Sequence, residues 1–192
     1  YKPHQYGGVI LPFTILRRLD CILEPTRDTV RGLAKKYEGG ALDVKVRQKT
    51  DFRFYNTSEF DFAKLLADPE GLRSNLIDYI SRFSANIDVF ERFKFENEIA
   101  TLDEKGRLYL IVSRFAEVDL HPDTVSNAEM GDLFEELIRK FAEASNEEAG
   151  EHYTPRDAIR LMVDLLFAEE NAALLEPGIV RSIYDPTAGT GG

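Results

Sequence analysis

The sequence predicts a mainly α fold: a helical bundle, then the first helix and first strand of an α/β domain. Three observations carry this. Apolar residues recur at three-to-four spacing along most of the chain, as in Leu72, Leu76, Ile80 and Phe83. Two helix starts are written into the later part, at Ser126 with Glu129 and at Thr154-Pro155. A convincing strand pattern (Ile179, Val180, Ile183, Tyr184) comes only near residue 184, directly before a turn of small residues.

Taken in order, residues 6–23 are apolar nearly all round at first, which predicts a buried helix. Pro12 inside it fits only near a first turn or at a kink. Cys21, among Leu19, Ile22 and Leu23, reads as a buried structural thiol. Pro25 closes this helix and can open the next, over residues 26–37, and Gly39-Gly40 marks a break. Residues 43–57 interleave Arg47, Lys49 and Arg53 with Phe52, Phe54 and Tyr55. The expectation is a connecting segment whose rings pack on helices, with a nucleic-acid contact as the alternative.

Helices follow at Leu72 to Phe83, in short pieces through Ile87, Phe90, Phe93, Ile99 and Leu102, and at Leu108, Ile111, Val112 and Phe115, where β-branched neighbours leave a strand open. Ser126 and Glu129 form a capping box. Behind it Met130, Leu133, Phe134, Leu137, Ile138 and Phe141 make an unbroken apolar face. The acidic exit of that helix (Glu143, Glu147, Glu148) reads as a solvated face, because no His or Cys joins it at ligand spacing. Thr154 suits an N-cap, Pro155 the first helical position, and Asp157 the third residue after the cap. Ile159, Met162, Val163 and Leu166 are expected to be that helix's buried face.

A chain of 192 residues, 43% hydrophobic and 30% charged, fits one globular domain or one plus the start of another. No apolar run has the length of a membrane span, and no secretory leader pattern is present. A single cysteine permits no internal disulfide and fits the reducing cytoplasm. Twenty-four basic against thirty-four acidic side chains give a net charge of −10. That argues against the chain as a whole being the main phosphate-binding surface of a nucleic-acid protein.

Two motifs carry chemistry. Asp185-Pro186-Thr187-Ala188-Gly189-Thr190-Gly191-Gly192 follows the strand pattern, in the manner of a Rossmann-like sheet opening a cofactor pocket. It has no G-K-S or G-K-T, which argues against a P-loop. A carboxylate at the strand's carboxyl end can pair with a ligand ammonium, which suits S-adenosylmethionine better than a pyrophosphate. An ordinary glycine-rich turn is the plain alternative. Gly150-Glu151-His152-Tyr153-Thr154-Pro155-Arg156 is a good helix start whatever its role, and a helix N-terminus also favours a carboxylate.

This pair of motifs resembles the modification subunit of type I restriction-modification systems, which are N6-adenine DNA methyltransferases. Residues 1–20, ending in Arg17-Arg18-Leu19-Asp20, are similar to the second half of that family's N-terminal helical domain. Residues 125–137 are similar to the helix before its cofactor motif. The resemblance implies a helical N-terminal domain over residues 1–148 and the start of a Rossmann-like methyltransferase domain over 149–192. It implies S-adenosylmethionine as cofactor, held by Glu151, His152, Tyr153, Thr154, Pro155, Arg156, Asp185, Thr187, Ala188 and Gly189. It also implies DNA, a specificity subunit, a restriction subunit and a second copy of the modification subunit as partners, in the cytoplasm and with no membrane. The family's catalytic N-P-P-F or N-P-P-Y is absent from these residues, so no catalytic residue is assigned and the chain is expected to hold only the first part of the enzyme. A stand-alone adenine methyltransferase and a non-catalytic assembly module are the alternatives.

Overall fold

The computed structural model describes residues 6–144, 154, 156–168, 182 and 184–187. It divides into two compact units, Tyr1–Leu137 and Ile138–Gly192. The described residues are mainly helical, as the periodicity predicts, and contain no strand beyond an isolated antiparallel bridge between Asn56 and Phe83. No helix among them is long and apolar enough to cross a membrane.

The first unit is built around α1 (Gly7–Leu23). Its apolar residues Phe13 and Leu16 meet Phe62 and Leu65 of α4 (Phe62–Ala67), Leu76 and Tyr79 of α5 (Leu72–Ser81), Phe95 and Ile99 of α7 (Phe95–Glu104), and Val112 of α8 (Leu108–Ala116) in one core. Phe13 sits at its centre, edge-on to Phe95 at 4.9 Å and stacked on Phe115 at 5.2 Å. Pro12 lies in the second turn, one turn deeper than expected. The carbonyl it leaves without a helical donor is that of Gly8, in the first turn, so the loss falls at the helix mouth. The ambiguous stretch at Leu108 is helical, with Leu108 and Val112 buried four residues apart.

A 3-10 turn at Glu24–Thr26 joins α1 to α2 (Arg27–Ala34). The double glycine that reads as a break is instead the entry to α3 (Gly39–Thr50): Glu38 is extended and Gly39 takes φ of +53°. The expectation of an irregular connection from residue 43 is therefore corrected. Leu42 and Val46, one turn apart, bury against Val30 and Tyr55 in a small second core, and this outweighs the surrounding alternation of charges. The irregular part begins at Asp51, whose φ of +61° ends the helix. Phe54 packs on the main core and Tyr55 on the small one, as expected of the rings.

The short α6 (Val89–Arg92) precedes α7, and α8 leads through residues 117–126 to α9 (Asn127–Ala144). The capping box forms: the Ser126 N–H donates to Glu129 Oε2 at 2.8 Å, and the Glu129 N–H donates to Ser126 Oγ at 3.2 Å. Cys21 is 4% exposed and packs with Leu120 and Met130, a structural thiol as predicted. The apolar face of α9 is only partly covered, since Leu133 and Ile138 are each 36% exposed.

In the second unit α10 spans Arg156–Phe167. Its expected buried face is largely a correction: Ile159 is half-buried, but Met162 is 56%, Val163 46% and Leu166 64% exposed, because no described residue packs over them. Of the expected strand, only Ser182 and Tyr184 are described, and neither is in a strand.

Candidate functional site

The two motifs supply the candidate cofactor site. Thr154 is exposed immediately before α10, whose backbone begins at Arg156 and whose first turn carries Asp157. In the other motif Asp185 closes a tight turn on itself. Its Oδ1 accepts the Thr187 N–H at 2.8 Å and faces the Thr187 hydroxyl at 3.4 Å. This is the turn that Asp before Pro favours. It leaves Asp185 Oδ2 without a partner among the described residues, and the carboxylate exposed. A carboxylate oxygen in that state fits an ammonium group, the chemistry that the amino-acid end of S-adenosylmethionine presents. Asp185 and Thr187 are thus brought together. Glu151, His152, Tyr153, Pro155, Ala188 and Gly189, the Arg156 side chain, and the acidic run at Glu143, Glu147 and Glu148 lie outside the described residues and side chains. No group of His, Cys, Asp and Glu among the described residues could hold a metal ion.

The first unit holds a second polar arrangement, which periodicity alone does not reveal. Arg18, 7% exposed, sends three donors into the 117–126 connection and the start of α9. Its Nη1 reaches the carbonyls of Leu120 (2.6 Å) and Val125 (2.7 Å), and its Nη2 reaches Asn127 Oδ1 (2.8 Å). Arg17 donates to the Val118 carbonyl at 2.8 Å and to Asp20 Oδ2 at 2.9 Å. Asp20 Oδ1 also accepts from the Tyr79 hydroxyl (2.8 Å) and from Arg27 (2.7 Å). Burial pushes the Asp20 carboxyl up; Arg27, the Tyr79 hydroxyl and Arg17 pull it partly back. Burial also drives the Tyr79 phenol well above its ordinary range, with the Asp20 charge adding to it, so Tyr79 stays a fixed donor. Each described buried side-chain polar atom has a hydrogen-bond partner. Such a closed network orders a core rather than performing chemistry. The signal for it in the sequence is three charged residues, Arg17, Arg18 and Asp20, set in an otherwise apolar helix.

Comparison with known proteins gives the family. Residues 1–115 match the HsdM N-terminal domain family, and residues 125–192 match the N-6 DNA Methylase family. The type I restriction enzyme EcoEI methylase subunit of Escherichia coli is 26% identical over 165 residues, covering 76% of this chain and 30% of that protein. The EcoKI methylase subunit of Escherichia coli K12 is 29% identical over 100 residues, covering 51% of this chain and 17% of that protein. The MjaIX methylase subunit of Methanocaldococcus jannaschii is 31% identical over 91 residues, covering 47% and 14%. The chain therefore spans less than a third of the length of these relatives. No solved structure matches it.

Proposed function

This chain belongs to the HsdM N-terminal domain family, as the N-terminal part of a type I modification subunit, and from that premise we propose that the whole subunit methylates the N6 amine of adenine in DNA. S-adenosylmethionine supplies the methyl group when bound. The protein's task is then to hold the amine in line with the sulfonium, with the base taken out of the duplex stack. Within this chain, Asp185 Oδ2 would pair with the ammonium of the methionine moiety. Glu151, His152, Tyr153, Thr154, Pro155 and Arg156 would line the cofactor at the start of α10, with Thr187, Ala188 and Gly189 beside it. Residues 1–148 would act as the helical domain that meets DNA and the specificity subunit, and residues 149–192 as the opening of the catalytic domain. A restriction subunit and a second modification subunit would complete the assembly, in the cytoplasm.

The observation that carries this reading is the order of the two motifs: a Thr-Pro helix start followed by an exposed aspartate turn with one carboxylate oxygen unpaired among the described residues. The test is transfer of labelled methyl from S-adenosylmethionine to duplex DNA by the full-length subunit in its complex. Label on adenine is expected. Label on cytosine, or none, overturns the reading. Asp185→Asn in the same complex should raise the Kd for S-adenosylmethionine about 10- to 100-fold, the value of one charge-assisted hydrogen bond. The 192-residue chain alone is expected to transfer no methyl, and labelled DNA from it would refute that.

A further inference from the structure

The charge of this chain is unevenly laid out. Residues 27–53, the α2–α3 hairpin and its exit, hold eight basic and four acidic side chains, a net of +4 in a chain of net −10. Five of these cations, Lys35, Lys36, Arg47, Lys49 and Arg53, are exposed and have neither an ion-pair nor a hydrogen-bond partner among the described residues. Four exposed arginines elsewhere in the first unit are neutralised: Arg73 by Asp103 (3.7 Å), Arg82 by Asp78 (3.1 Å), Arg92 by Asp88 (2.6 Å) and Arg114 by Glu117 (3.2 Å). Asp28 faces Arg31 (3.5 Å) and Asp43 accepts the Tyr55 hydroxyl (2.7 Å), so neither is paired with the five exposed cations.

The hairpin is also held firmly. It has its own small core, and Arg31 bonds the carbonyls of Ser58 (2.8 Å) and Phe60 (3.1 Å). Its charges are therefore displayed on ordered backbone, which lowers the ordering cost of binding. Of the nearby rings, Phe52 and Phe54 lie 5.6 Å apart, half-buried, Tyr55 is buried, and Tyr37, 37% exposed, has Lys45 Nζ 6.0 Å from its centroid. One exposed ring among five exposed cations points to phosphates rather than stacked bases as the main ligand.

We infer that the α2–α3 hairpin is a contact surface for the phosphate backbone of duplex DNA, made by Lys35, Lys36, Arg47, Lys49 and Arg53. An acidic protein repels DNA except where its charge reverses locally, so this surface sets where the duplex meets the helical unit. The inference rests on the proposal that the subunit acts on DNA. The test replaces all five residues with glutamine in the full-length complex and measures affinity for a fluorescent duplex across a salt series. A control complex carries Arg73, Arg82, Arg92 and Arg114 changed to glutamine. The slope of log affinity against log salt should fall by about 0.9 for each of the five that meets a phosphate. The control should keep the slope of the unaltered complex. An unchanged slope in the five-fold variant overturns the inference. So does loss of complex assembly with DNA affinity per assembled complex intact, which would make the hairpin a protein interface. Adenine methylation by the unaltered complex, scored in parallel, separates these failures from a failure of the functional proposal.

Discussion

Helix α1 buries Phe13, Leu16 and Leu19 among α4, α5, α7 and α8, whereas α10 leaves Leu161, Met162, Val163, Leu165 and Leu166 exposed. Both helices show apolar residues at helical spacing. The difference teaches that periodicity identifies a face in need of a partner without saying where that partner lies. Every fully buried Leu or Phe contributes roughly 1.5–3 kcal/mol relative to leaving it in water. By that measure α1 organises the first unit, while α10 contributes little beyond its own hydrogen bonds within the described residues.

This contrast can be broken most directly by truncation. Phe13→Ala should cost about 3–5 kcal/mol, since Phe13 is fully buried between two rings. Leu165→Ala, at a site 69% exposed, should change stability by less than about 0.5 kcal/mol. Urea unfolding midpoints of the two variants measure the gap, and equal losses would show that the α10 face is covered after all. A smaller effect sharpens the account of α1. Arg18→Met removes the donors to Leu120, Val125 and Asn127 and should cost at least about 2 kcal/mol. Amide exchange over residues 118–127 should speed up with it, and unchanged exchange there would mean that something else holds the connection.

A further, smaller loss than that at Arg18 concerns the start of α9. Ser126→Ala should cost about 1 kcal/mol. The backbone and side-chain bonds with Ser126 hold the Glu129 carboxyl below its ordinary range. A depressed carboxylate stabilises the fold above its unfolded pKa and loses that contribution as pH falls through the folded value. Thermal melts from about pH 6 to about pH 3, across the ordinary glutamate range, should show this acid-side loss in the parent chain and less of it in Ser126→Ala. Equal pH profiles would show that the residue 126 backbone N–H, and not the Ser126 hydroxyl, holds the Glu129 carboxylate.

Much of the first unit is legible in the sequence because its signals are local. Spacing places α5, α7 and α8, and Ser126 with Glu129 marks the start of α9 to the residue. Helix α3 is missed for a physical reason: with only Leu42 and Val46 buried along twelve residues, its apolar content is too sparse to stand out. The Arg18 and Asp20 network is missed because its partners lie up to 109 residues away, and no local pattern encodes such a pairing. In the candidate site, the helix at Arg156 and the turn at Asp185 are readable from Thr-Pro and Asp-Pro. Glycines and small residues say that a backbone can approach a ligand, but not which atoms of the ligand it touches.

The lone thiol has a practical use. Cys21 lies on α1 against Leu120 and Met130, nearly sealed from solvent, and burial holds its sulfhydryl in the less reactive protonated form. Its alkylation therefore waits on the parting of α1 from those two residues. The rate at which iodoacetamide consumes it would serve as a built-in clock for that opening, without any label being introduced.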